Sequence, residues 1–123
     1  MRPTKSRGAM EEEITQAVIR FEKEYMGRGP LEARTYLVDD LVLVRLKNVL
    51  TPAEHKLAGG PDPERGRDLI KQLRQQLIES GAPLLVAVVK DVVGVEVRSM
   101  HTDISTRTGE RVIVFSLEGK PVG

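Results

Sequence analysis

The sequence predicts an α+β fold: two αββ units forming a four-stranded, mainly antiparallel sheet with helices packed on one face. Three observations lead there. Apolar residues recur at helical spacing in residues 11–26 and again beyond residue 62. Pairs of β-rich runs, each pair joined by a polar turn, follow these stretches. The order helix, glycine, strand, turn, strand and proline occurs twice, closing at Pro52 and at Pro121.

The first helix is expected over 11–26. Ile14, Ala17, Val18, Phe21 and Tyr25 share one helical face. Glu11, Glu12 and Glu13 suit the positive end of its dipole. Gly27-Arg28-Gly29-Pro30 stops it. Residues 32–38 and 41–47 form a hairpin around Asp39-Asp40, whose turn type stays open. Val42, Val44 and Leu46 lie on one face of the second strand, and Leu41, Leu43 and Arg45 on the other. Apolar residues on both faces mark this strand as central, or as meeting a partner.

Thr51-Pro52-Ala53-Glu54 has the residues of a capping box with proline at the first helical position. Gly59-Gly60-Pro61 ends that short helix, and Asp62-Pro63-Glu64 starts a longer one. Leu69, Leu73 and Leu77, joined by Ile70, form the stripe expected to face its core. Over Pro83–Val93 the valines alone suit a buried strand, whereas Leu84, Leu85, Val88, Val89 and Val92 have helical spacing. Helix is the expectation, because Gly94 follows as a stop, with a break or kink at Pro83. Residues 95–103 and 111–118 form the second hairpin around a polar turn ending in Gly109.

With 123 residues, one domain is expected, over 11–118. Residues 1–10 read as a flexible tail and 119–123 as a loose C-terminal tail. Lys plus Arg is 19 against 18 for Asp plus Glu, a net charge of +1, so there is no general pull toward nucleic acid. The absence of Cys excludes disulfides, thiolate catalysis and cysteine-bound metals. Two histidines exclude a three-histidine zinc site. Phe21, Tyr25, Tyr36 and Phe115 are the only aromatics, too few for a base-stacking platform. No apolar run approaches the ~20 residues that span a bilayer. No apolar leader follows the basic start, so a cytoplasmic location is expected, without membrane insertion.

The concentrated polar chemistry lies in 99–109. On one strand, Ser99, His101 and Asp103 share a face. A histidine and a carboxylate there suit acid–base work, or two ligands of a metal, though both need further partners. A strand-end histidine and a turn-capping Asp explain the same residues. Ser105, Thr106 and Arg107 offer hydroxyls and a cation to an anion, and the same residues are common at hairpin tips. Gly27-Arg28-Gly29 follows a helix and precedes a strand, the reverse of a phosphate loop. Arg67, Lys71 and Arg74 line one helix face, as solvated faces often do.

Gly27-Arg28-Gly29-Pro30, Val38 through Leu46, Leu50-Thr51-Pro52-Ala53-Glu54, Ser99 through Ser105 and Thr108-Gly109-Glu110 to Val114-Phe115 resemble the MpsC-like family. The likeness covers about residues 11–118. That family is named after a sodium-translocating, membrane-potential-generating system, and relatives sit beside inorganic-carbon transporters in some bacteria. Its shared positions matched here are the Gly-Pro turn, Arg45, Thr51 through Glu54 and His101 through Ser105. It supplies no catalytic set. The resemblance implies a cytoplasmic bacterial protein, peripheral to the inner face of the membrane through a transporter subunit.

The expected function is therefore a non-enzymatic accessory or regulatory protein acting by protein contact, as a homodimer, on a transporter subunit, or both. No cofactor and no metal are expected. The alternative is a small-anion or nucleotide sensor using Arg45, His101, Asp103, Ser105, Thr106 and Arg107. An enzyme built on His101 and Asp103 is the third reading.

Overall fold

The computed structural model describes residues 5–122. Its elements are α1 (Arg7–Met26), β1 (Glu32–Val38), β2 (Leu41–Lys47), α2 (Pro52–Ala58), α3 (Pro63–Val93), β3 (Val97–Ile104) and β4 (Arg111–Leu117). The four strands form one antiparallel sheet in the order β1-β2-β4-β3. The α+β class, the two hairpins and the helical layer follow the sequence expectation.

Helix α1 begins four residues earlier than the apolar pattern indicates. The Ser6 hydroxyl accepts the Ala9 N–H at 3.1 Å, and Met10 is buried. Residues 7–10 are therefore helical rather than tail; residues 1–4 and 123 lie outside the described residues. The glutamates consequently sit beyond the first turn, where the dipole argument loses force. Glu11 Oε2 instead accepts the Leu37 N–H at 2.9 Å, occupying a backbone donor on edge strand β1.

In the first hairpin Val38 pairs with Leu41. Asp39 takes φ 52°, and it is the only residue of the turn in the left-handed region. A type I′ turn needs both central residues there, so that type is excluded. The Thr51 capping box forms as expected, with reciprocal bonds between Thr51 and Glu54 of 3.2 and 2.9 Å.

Helix α3 runs unbroken for 31 residues, through Pro83. The expected break does not occur. Pro83 and Glu79, whose carbonyl the proline cannot bond, are both exposed, so water can serve that carbonyl. The expected leucine stripe is also corrected. Leu69 and Leu73 are 45% and 55% exposed, and the buried line is Gly66, Ile70, Arg74, Ile78, Gly81, Leu85, Val89 and Val93. An arginine in the middle of that line disguises its phase.

The core fills the space between helices and one sheet face, with Ile14, Val18, Phe21, Val42, Val44, Leu46, Ile70, Ile78, Ile113 and Phe115 nearly solvent-free. Close packing of α1 on α3 depends on Gly81, where an added Cβ would lie 2.2 Å from the Phe21 ring. The C-terminal segment is held rather than loose: Val122 N–H donates to the Val93 carbonyl at 2.8 Å.

Candidate functional site

Strand alternation assigns the expected site residues to places. The register aligns Arg34, Arg45, Val112 and Asp103 in one row across the sheet. The next row is Tyr36, Leu43, Val114 and His101; the next is Val38, Leu41, Ser116 and Ser99. All three rows lie on the face opposite the core residues, which no helix covers.

Arg45 sits there, with Nε donating to Glu110 Oε2 at 2.6 Å, and this hydrogen bond raises the guanidinium pKa above its ordinary value. His101 Nε2 lies 3.0 Å from Ser99 Oγ. Asp103 Oδ1 accepts the Ile104 N–H at 2.8 Å and is 3.6 Å from Lys71 Nζ. Their polar contacts thus run to different neighbours.

Ser105 is committed to the turn. Its hydroxyl accepts the Thr108 N–H at 3.1 Å, while its N–H donates to Glu110 O at 2.8 Å. Gly109 completes the turn with φ 76°. Thr106 and Arg107 project away from Arg45 and His101 into a separate cleft of about 490 Å³, shared with His55, Ala58, Gly59 and Arg67. The six expected residues therefore form two groups and a structural turn rather than one site.

Sequence reasoning missed a buried charge group. Glu22 of α1, Arg74 of α3 and Arg111 of β4 are 0%, 2% and 1% exposed. Arg74 is partnered at two of its three nitrogens: Nε bonds Glu54 Oε2 at 2.8 Å, and Nη2 bonds Glu54 Oε1 at 2.5 Å and the Val49 carbonyl at 2.9 Å, while buried Nη1 has no hydrogen-bond partner. Burial pushes the Glu54 carboxyl up, but hydrogen bonds from Arg74 and Thr51 outweigh it and hold the pKa below the usual range.

Glu22 is the opposite case. Arg111 Nε lies 3.9 Å from Glu22 Oε1, within ion-pair range but too far to donate. Neither Glu22 oxygen accepts a protein hydrogen bond. Burial raises the Glu22 pKa despite the nearby charges of Arg111 and Arg74, and burial lowers that of Arg111. Arg111 Nη1 donates to Thr102 Oγ1 at 2.7 Å, and Arg111 also lines a cleft of about 410 Å³ with Lys71, Gln72, Gln75, Gln76, Asp103 and Ile104.

A signal for this group was present. Glu22 continues the Ile14, Val18 line, Arg74 lies between Ile70 and Ile78, and Arg111 is in phase with Ile113, Phe115 and Leu117. Three charges in core phase on three elements point to one buried cluster. Among the described residues no group of three or more His, Asp and Glu is placed to hold a metal ion. No helix there is long and apolar enough to cross a membrane.

A family model described as Na+-translocating membrane potential-generating system (MpsC) matches residues 6–119. The chain belongs to the MpsC family. It is 43% identical over 113 residues to the uncharacterized protein YbcI of Bacillus subtilis strain 168, covering 92% of this chain and 89% of that relative. No solved structure matches the chain. The MpsC match takes in both hairpins, all three helices and the buried charge group.

Proposed function

We propose that this MpsC-family chain is a non-enzymatic accessory or regulatory component of a bacterial membrane ion- or inorganic-carbon-transport system. It works by protein contact, from the cytoplasmic side, with a transporter subunit as one partner. The observation that carries the proposal is the leucine stripe of α3. Leu69, Leu73 and Leu84 are 45%, 55% and 46% exposed, and with half-buried Leu77 they lie on one side of the helix. Folding leaves these leucines largely in water, and a stripe of this spacing suits a partner helix. The family description supplies the membrane-potential and sodium context.

A crosslinking pull-down from the native cell tests it, comparing the wild type with Leu73→Glu. Capture of a transporter subunit by the wild type and its loss in the variant is expected. Equal capture by both, or no transport component with either, contradicts the proposal.

A second reading places a small anion in the cleft of Arg67, Arg107, His55 and Thr106. Its support is that neither arginine has an ion pair among the described residues, so two cations line the cleft unneutralised. Titration calorimetry with bicarbonate, phosphate and nucleotides is expected to give a signal that Arg107→Ala weakens. Absence of heat with all three rejects this reading.

A further inference from the structure

We propose that the uncovered sheet face binds a second copy of this chain, giving a face-to-face dimer with its two-fold axis along the strands, between β2 and β4. The proposal rests on the chain being an interaction module, and it names the occupant of one face.

Charge is the first reason. On the β1–β2 half of this face stand Arg34, Arg45, Lys47 and one acid, Glu32. On the other half stand Asp103, Glu110 just before β4, and the exposed pair Arg98–Glu118 at 3.0 Å. The first half has a net positive formal charge and the second a net negative one, with Arg45 already paired to Glu110 and Lys47 to Glu32 inside one copy. Rotation about an axis along the strands sets β1 opposite the partner copy's β3, and β2 opposite its β4. Arg34 then faces Asp103 of the second copy, and the Lys47–Glu32 pair of one copy faces the Arg45–Glu110 pair of the other. The Asp103 side chain is 77% exposed and lies 3.6 Å from Lys71 Nζ, so Arg34 of the second copy would be a second cation beside a carboxylate that already accepts the Ile104 N–H.

Polarity along the strands is the second reason. The charged row lies toward one end, while the middle and far rows hold Tyr36, Leu43, Val114, Val38 and Leu41 beside His101, Ser116 and Ser99. An axis along the strands keeps each row opposite its own copy, so Leu43 meets Val114 and Tyr36 meets His101. An axis across the strands would set Arg34 and Arg45 against Val38 and Leu41, which would bury charge on apolar surface. Two twisted sheets stacked face to face with aligned strands are a stable arrangement. Edge-to-edge pairing at β1 is disfavoured because Glu11 already accepts the Leu37 N–H.

Four strands about 4.8 Å apart and seven residues at about 3.4 Å each give a flat footprint of roughly 450 Å² per copy. A standard partner buries ~800 Å², so this dimer is weak and is sought at concentrations up to roughly 1 mM.

Sedimentation equilibrium of the full chain provides the test. A monomer–dimer equilibrium is expected for the wild type and loss of dimer for Leu43→Arg. Arg34→Asp and Asp103→Arg each weaken association about tenfold. The double variant recovers to within about threefold of wild type, because each copy carries both exchanged charges. A monomer at every concentration overturns the proposal, as does a dimer indifferent to Leu43→Arg, or a double variant no better than the singles. A monomer that still captures a transporter subunit refutes the dimer alone. A dimer that captures none refutes the accessory role alone.

Discussion

The two faces of the sheet share every strand yet differ in what they do. On the helical side Val42, Val44, Ile113 and Phe115 have no measurable exposure. On the other, Tyr36, Val38 and Leu41 are 36%, 52% and 38% exposed, and half-buried Leu43, Val112 and Val114 have only strand neighbours to shield them. Such apolar content is more than a solvated sheet face needs, since antiparallel sheets commonly alternate apolar and polar residues. Folding accounts for the apolar content of one face and leaves Tyr36, Val38 and Leu41 partly in water on the other.

The largest effects are expected on the covered side. Phe115→Ala should cost about 3–5 kcal/mol of stability through its lost contacts and the cavity it leaves. Arg74→Ala should cost about 3–5 kcal/mol as well, by leaving Glu54 and the Val49 carbonyl without their buried partner. Denaturant unfolding of dilute protein measures both. Arg45→Ala breaks an ion pair of similar length on the uncovered face, and no measurable change in melting is expected, because solvent screens that pair.

A smaller loss is expected where two helical segments touch. A Cβ added at Gly66 would lie 2.1 Å from the Leu57 carbonyl oxygen, so Gly66→Ala should destabilise by about 1–3 kcal/mol. Thermal melting checks this.

The two buried carboxylates should give opposite pH dependence. The Glu54 pKa is lowered, so its contribution is present above the ordinary carboxylate range and disappears as pH falls through its folded value. The Glu22 pKa is raised, so the folded state holds that proton more tightly than the unfolded one. Its contribution is complete below the unfolded pKa and declines as pH rises through the folded value. Glu22→Gln should flatten this decline, as read from urea unfolding across pH. A small stability effect is expected from Val114→Ala, under about 1 kcal/mol in dilute protein, since a half-buried side chain has less transfer energy to lose.

Most of the fold was legible in local sequence. Thr51 through Glu54 carries its own cap, Gly27 and Gly94 both take left-handed conformations at helix ends, and strand alternation assigned β2 correctly. The start of α1 was hidden because Glu11, Glu12 and Glu13 read as its first turn, although Met10 continues the Ile14 and Val18 line and Ser6 supplies the cap. The α3 phase was hidden by Arg74, since a periodicity count based on apolar residues assigns a buried arginine to the surface. The same substitution of charge for apolarity concealed Glu22 and Arg111. The 99–109 stretch was prominent in sequence for polar residues that the structure divides between a turn, a sheet face and a cleft. What sets them apart is the strand register and the β3–β4 turn, which sequence spacing alone does not fix.

An NMR dilution series on the labelled full chain decides whether the uncovered sheet face binds a second copy. As concentration rises, amide shifts should move at Tyr36, Leu43, Val114 and His101 and stay fixed along the covered strand positions and α1. Shifts confined to α1 or α3, or none across the series, would contradict the account.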